Sequence, residues 1–203
     1  RDLLVRLLPD FSDKDEYRYA FLVHPRDIRD VYRKYSFLKF LPTPLLSLLL
    51  RFYWPVILSP VTGLVSQKTG KQIYGLIITI PLTARQMMED RALALRKIKQ
   101  AAVLAKKSGA KIIGLGGLTS SLSSGGVDLL GETGINITTG HAYTAHTVSQ
   151  TLLKLASILG TNKDTAVLAF VGAAGSVGST TAKLLAREGF AHFLLIDMPH
   201  KKH

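Results

Sequence analysis

Three glycines at three-residue spacing, Gly172, Gly175 and Gly178, lie between an apolar run and a helix-forming run, and they constrain the fold more than any other feature. Residues 166–171 are apolar and read as a strand. Residues 179–187 read as a helix, and residues 193–196 are apolar again and end at Asp197. Strand, tight glycine turn, helix and strand in that order open a dinucleotide-binding unit. The first glycine permits a sharp turn, the second a close approach of backbone to pyrophosphate, and the third close packing of helix on strand. The helix N-terminus adds free N–H groups and a partial positive charge. The predicted cofactor-binding residues are therefore Gly172, Ala173, Gly175, Ser176, Val177, Gly178 and Asp197. The spacing is G-x-x-G-x-x-G rather than the stricter G-x-G-x-x-G, so an ordinary helix-entry turn is the competing reading.

Asp197 stands 19 residues after Gly178, at the end of the second apolar run. A carboxylate there accepts ribose hydroxyls and repels a 2′-phosphate, which favours NADH over NADPH. Lys201 and Lys202 can neutralise a phosphate if they fold back, and a solvated strand-end carboxylate is the simpler alternative. Only two strands of such a sheet are written, the chain ends six residues after Asp197, and it begins with Arg1. We expect a piece of a longer polypeptide, with the nicotinamide side of the pocket elsewhere.

The chain has 203 residues, of which 47% are hydrophobic, enough for one domain or one small domain and part of another. Cysteine is absent, so these residues offer no disulfide, thiolate metal site or thiol nucleophile. Six scattered histidines form no tight ligand pair, and no metal is expected. The net charge is +12, and residues 68–111 hold ten Lys/Arg against Glu89 and Asp90, a local +8. That field suits an acidic protein or an anionic surface. Aromatics are not interleaved with the cations and no nucleic-acid module is recognisable, so no nucleic-acid partner is expected.

Three segments follow from the patterning. Residues 1–61 form an N-terminal extension that contains a strand at 19–24, a helix from Pro25 to Tyr35 and a strongly apolar stretch at 37–60. Pro42, Pro44, Arg51 and Pro55 interrupt this stretch, and its longest clean run is far short of the roughly 20 residues a membrane span needs. Peripheral membrane contact, with Tyr53 and Trp54 at headgroup depth, or a lid over an apolar substrate fits it, as does plain helix packing. Residues 62–160 read as a small α/β domain on the substrate side, with strands at 70–80, 111–114 and 135–141. Its helices are at 83–107, with Met88, Ala92, Leu95, Ile98, Ala102 and Ala105 on one face, and at 144–159. Residues 161–203 hold the first βαβ of the dinucleotide-binding domain. The fold class is thus α/β, and a cytoplasmic location, peripheral to a membrane at most, is expected.

Two loops stand where open α/β sheets place ligands. Gly116-Gly117-Leu118-Thr119-Ser120 and Thr138-Thr139-Gly140-His141 follow strands directly. Thr119, Ser120 and Thr139 can donate to a carbonyl or phosphate, and His141 can serve as a general acid or cap the helix near Thr144. Each loop also reads as an ordinary small-residue connection.

From Gly70 to about Gly189 the chain resembles the long-chain acyl-ACP (acyl-thioester) reductase family, which makes fatty aldehydes in cyanobacteria. The resemblance rests on Gly70-Lys-Gln-Ile-Tyr-Gly75, the basic helix after it and Leu115-Gly-Gly-Leu-Thr-Ser120. It continues in Thr138-Thr-Gly-His-Ala-Tyr-Thr-Ala145 and Val171-Gly-Ala-Ala-Gly-Ser-Val-Gly-Ser179. It implies an NAD(P)-dependent oxidoreductase that takes acyl carrier protein or acyl-CoA thioesters, prefers NADPH, and uses a nucleophilic cysteine beyond residue 203. His141 departs from the family's usual Asn, and Asp197 from its usual non-acidic strand end. Other two-domain dehydrogenases of methylenetetrahydrofolate or shikimate type, and a non-catalytic NAD-binding module at a membrane, are the alternatives.

Overall fold

A computed structural model describes residues 18–198, so Lys201 and Lys202 lie outside the described residues. The chain divides between Thr139 and Gly140 into two units. The first is an α/β fold, a mixed sheet flanked by helices. Its strands are β1 (Arg18–Val23), β2 (Val56–Val65), β3 (Gln72–Thr79), β4 (Ala110–Leu115) and β5 (Asn136–Thr138), in spatial order β2-β3-β1-β4-β5. The strand at the start of the chain is thus the centre of the sheet. It runs parallel to β3 on one side and β4 on the other, with Leu22 opposite Ile78 and Leu115. Ala20 and Leu22 on β1 are fully buried on one face of the sheet, while Phe21 on the other face is exposed.

Strand β2 was not read from the sequence, where residues 56–60 closed the apolar stretch. It pairs antiparallel with β3 at the sheet edge, and its register shifts twice. An edge is where Pro60 is tolerated, because no neighbour needs its missing N–H. Residues 18–23 and 56–60 are therefore strand residues of the sheet rather than parts of an extension ahead of it.

The helices are α1 (Ile28–Lys34), α2 (Thr43–Phe52), α3 (Ala84–Glu89), α4 (Arg91–Lys107), α5 (Leu118–Leu122) and α6 (Val127–Thr133). The single helix expected over 83–107 is two. Asp90 leaves helical geometry at φ −132°, ψ 79°, and its side chain accepts from Leu93 N at 3.0 Å, capping α4. Thr83 and Gln86 exchange reciprocal bonds that cap α3. The break changes the buried face: Met87 is fully buried while the expected Met88 is 51% exposed, and Ala94 and Ala101 join Ile98, Ala102 and Ala105 inside. The small side chains of α4 let it lie close over Ile78, Ile80, Leu82 and Ile113 of the core. Each fully buried Ile, Leu or Met contributes about 1.5–3 kcal/mol by leaving water.

The second unit holds α7 (His141–Ile158), β6 (Val167–Val171), α8 (Ser176–Arg187) and β7 (His192–Ile196). Strands β6 and β7 pair in parallel with Val167 opposite His192 and Val171 opposite Ile196. This is the strand–turn–helix–strand order that the glycines imply. The division of the chain falls ahead of α7 rather than after it, because α7 packs on α8. Thr181 and Leu185 are buried on α8, and Ala145 and Ser149 on α7, with Thr181 Oγ1 donating to Ala145 O at 3.5 Å.

Candidate functional sites in the two units

In the first unit a cavity of about 740 Å³ lies at the C-terminal ends of β1 and β3, where Val23, His24, Thr79 and Pro81 reach it. The carboxyl ends of parallel strands are where open α/β sheets leave room for ligands. The opposite wall comes from residues 37–60. Phe37 and Leu38 contribute from a 3₁₀ turn, Leu46, Leu49, Leu50 and Phe52 from α2, and Tyr53 and Trp54 from the chain after it. The Tyr53 and Trp54 rings stack at 4.7 Å between centroids. The apolar stretch, for which membrane contact, a lid over an apolar substrate and helix packing are the sequence readings, builds a cavity wall and the start of an edge strand. No helix among the described residues is long and apolar enough to cross a membrane.

Three polar contacts hold α2 from its other side. Gln86 Nε2 donates to Ser47 O at 2.7 Å, Arg51 Nη2 pairs with Asp90 Oδ2 at 2.8 Å, and the Lys97 ammonium donates to Tyr53 O. Ser47 and Arg51 are one helical turn apart, so they share the face that meets α3 and α4. Lys97 is 7% exposed, which removes it from the basic surface that the sequence suggested for an acidic partner.

Two polar groups of the cavity, His24 and Asp30, are already organised. His24 Nδ1 lies 3.0 Å from Pro25 O, and Leu118 N donates to its Nε2 at 3.1 Å. An acceptor at Nε2 and a carbonyl at Nδ1 assign the neutral Nδ1–H tautomer. His24 thereby ties the end of β1 to the start of α5. Gly117 between them sits at φ 57°, and a Cβ there would lie 2.7 Å from His24 Nε2. Asp30 accepts from Arg26 N at 3.0 Å and Nε at 3.3 Å, and Arg33 lies 3.6 Å away. The bonds from the Arg26 side chain, then its backbone amide, hold the Asp30 carboxyl below the usual carboxylate range. No loop signature marked His24, Asp30 or Lys34. A polar Val-His-Pro exit from an apolar strand was the available signal.

The small-residue loop read at Gly116–Ser120 turns into the helix α5 from Leu118, contrary to the sequence reading. Thr119 is fully buried and its hydroxyl donates to Gly116 O at 2.8 Å, so its proton is committed to the backbone. Ser120 is also buried in α5. Thr139 is half-buried after β5, at the end of the first unit, whereas His141 is the first residue of α7 in the second.

In the second unit the glycine turn is largely closed on itself. Gly172 N and Ala173 N donate to Ile196 O, Ala174 N donates to Asp197 Oδ2 at 2.7 Å, and Gly175 N donates to Gly172 O. Asp197 therefore clamps the turn instead of standing apart at the strand end. Gly172 takes φ +85°, and a Cβ on Gly178 would meet Gly172 O at 2.6 Å, which explains the first and third glycines. Ser176, Val177 and Gly178 open α8, so their amides have no intrahelical acceptor. Ser176 Oγ lies 2.6 Å from His141 Nδ1, which brings the N-termini of α7 and α8 together. Among the described residues no group of three or more His, Asp or Glu is placed to hold a metal ion.

No protein-family model matches the chain. A similar curated protein is the aminotransferase PigE of Serratia sp. (strain ATCC 39006), 30% identical over 138 residues, which is 68% of this chain and 16% of that protein. The chain thus spans about a sixth of the length of the relative it matches. This similarity overturns the reductase reading. The relative is an aminotransferase, not an NAD(P)H-dependent reductase of acyl thioesters, so membership of the acyl-ACP reductase family, fatty-aldehyde formation and oxidoreductase chemistry are withdrawn. NADPH and NADH are withdrawn as cofactors with them, as are the dehydrogenase and NAD-binding alternatives. The physical reason is that a glycine turn before a helix serves any ligand that carries phosphate, and the short blocks ahead of it specify turns and caps rather than hydride transfer.

Proposed function

We propose that this chain is a substrate-holding part of an enzyme of amino-group transfer, and that the cavity in its first unit takes the apolar portion of the substrate. The observation that carries this reading is the cavity of about 740 Å³ at the carboxyl ends of β1 and β3, inside the usual 300–1,000 Å³ range of small-molecule sites. Its walls are aliphatic and aromatic, and His24 is pinned on both ring nitrogens, so the cavity binds and orients rather than moves protons. The similarity to aminotransferase PigE supplies the class of chemistry.

Amino-group transfer is ordinarily carried by pyridoxal phosphate, bound through a lysine amine and a phosphate cup. The described residues of the second unit do not assemble that pair. Lys163 donates to Glu188 O at the far end of α8. Lys154 and Lys183 stand about 20 Å and about 10 Å along their helices from the N-termini. No catalytic step is therefore assigned to these residues. The phosphate half is present: the Ser176, Val177 and Gly178 amides and the paired Ser176 and His141 side chains suit a phosphate group. We assign the glycine turn that holding role.

Titration of the chain with decanol, followed by Trp54 emission, tests the cavity. Saturable binding that weakens about tenfold in Leu49→Gln is expected, since Leu49 lines the wall. Absence of saturation, or equal binding by the variant, would remove the substrate-holding role.

A further inference from the structure

We propose that the cavity of the first unit selects a single-chain molecule with a carboxylate head, and that Lys34 binds that head. The proposal rests on the reading of the cavity as a ligand site and adds the class of ligand. Lys34 ends α1, lines the cavity and is solvent-exposed, so it is a lining residue at the solvent side. The other charged group of the lining, Asp30, is already committed to Arg26 and Arg33. His24 is neutral and bonded at both nitrogens. With Asp30 paired in this way, Lys34 is the charged group of the lining whose side chain makes no hydrogen bond or ion pair within the described residues.

An ammonium without a partner among the described residues, beside an apolar cavity, favours a ligand whose tail enters the cavity and whose head carries one negative charge. A primary amine head would be repelled by the Lys34 ammonium. One ammonium neutralises a carboxylate in full and leaves part of the charge of a phosphate monoester without a partner beside an apolar wall, which favours the carboxylate. Lys34 also stands in the last turn of α1, where a cation complements the helix dipole. That role stabilises the helix and gives no preference among ligand heads, so head preference is the quantity to measure.

The experiment compares decanoate, decanol and decylamine on the 203-residue chain by Trp54 emission, at low and high salt. Decanoate is expected to bind about three- to tenfold tighter than decanol, and decylamine weaker than both. Lys34→Ala removes the decanoate advantage and leaves decanol unchanged, whereas Lys34→Arg retains the advantage. Salt shrinks the advantage in the parent chain only. Equal binding of decanoate and decanol by the parent, or an advantage that survives in Lys34→Ala, overturns the carboxylate proposal while the apolar cavity stands. Failure of all three to bind overturns both.

Discussion

The backbone amide of Ala174 donates to the Asp197 carboxylate at 2.7 Å, joining the glycine turn to the end of β7. The same carboxylate accepts from Met198 N at 2.7 Å. Two backbone donors on one carboxylate make this a charge-assisted clamp on a turn also held by Ile196 O and Gly172 O. Asp197→Ala should lower the stability of the second unit by about 1–2 kcal/mol, and Asp197→Asn by less because it keeps one acceptor. Urea denaturation followed by far-UV circular dichroism measures both. An unchanged midpoint in Asp197→Ala would mean the clamp contributes nothing.

The third glycine makes a sharper case. A Cβ on Gly178 would stand 2.6 Å from Gly172 O, a backbone atom that cannot swing aside, whereas one on Gly175 meets the same oxygen at 3.2 Å. Gly178→Ala is expected to cost about 1–3 kcal/mol, and Gly175→Ala clearly less. Thermal melts of the two variants side by side decide the order, and the reverse order would contradict the packing described.

Asp90 does two jobs that substitution can separate. It caps α4 through Leu93 N and pairs with Arg51 at 2.8 Å. Asn is as good a cap as Asp, so Asp90→Asn loses only the half-exposed ion pair and should cost about 0–1 kcal/mol. Asp90→Ala loses the cap as well, with a further cost of about 1 kcal/mol. If the two variants unfold at the same urea concentration, the cap carries no weight.

Acid should weaken the first unit through Asp30. The Arg26 side chain, then its amide, lower the folded carboxyl below its unfolded range near 3.9. The stabilising contribution is present above the unfolded value and is lost as pH falls through the folded one. Asp30→Asn should therefore reduce stability near neutrality and flatten its decline below about pH 4. Urea midpoints of both proteins across that range test the sign, and parallel curves would show that Arg26 does not stabilise the ionised carboxyl.

Local pattern was enough for the elements that depend on near neighbours. The strand–glycine turn–helix–strand order at 167–196 was legible because turn, close packing and helix entry each demand glycine at a set position. The strands around Leu22, Ile78 and Ile113 and the helix stop near Gly109 were readable from apolar runs and caps. Tertiary structure decided the rest. The stretch at 37–60 is apolar whether it faces a membrane, a core or a cavity, and only the tethers from Gln86, Asp90 and Lys97 set α2 against the strand ends. Asp197 looks the same in sequence whether it meets a ribose or the Ala174 amide 23 residues back. Lys34 reads as a surface charge until the cavity forms beside it. Composition and spacing record which contacts a side chain can make, but the choice among them depends on which distant backbone the fold brings within hydrogen-bond reach.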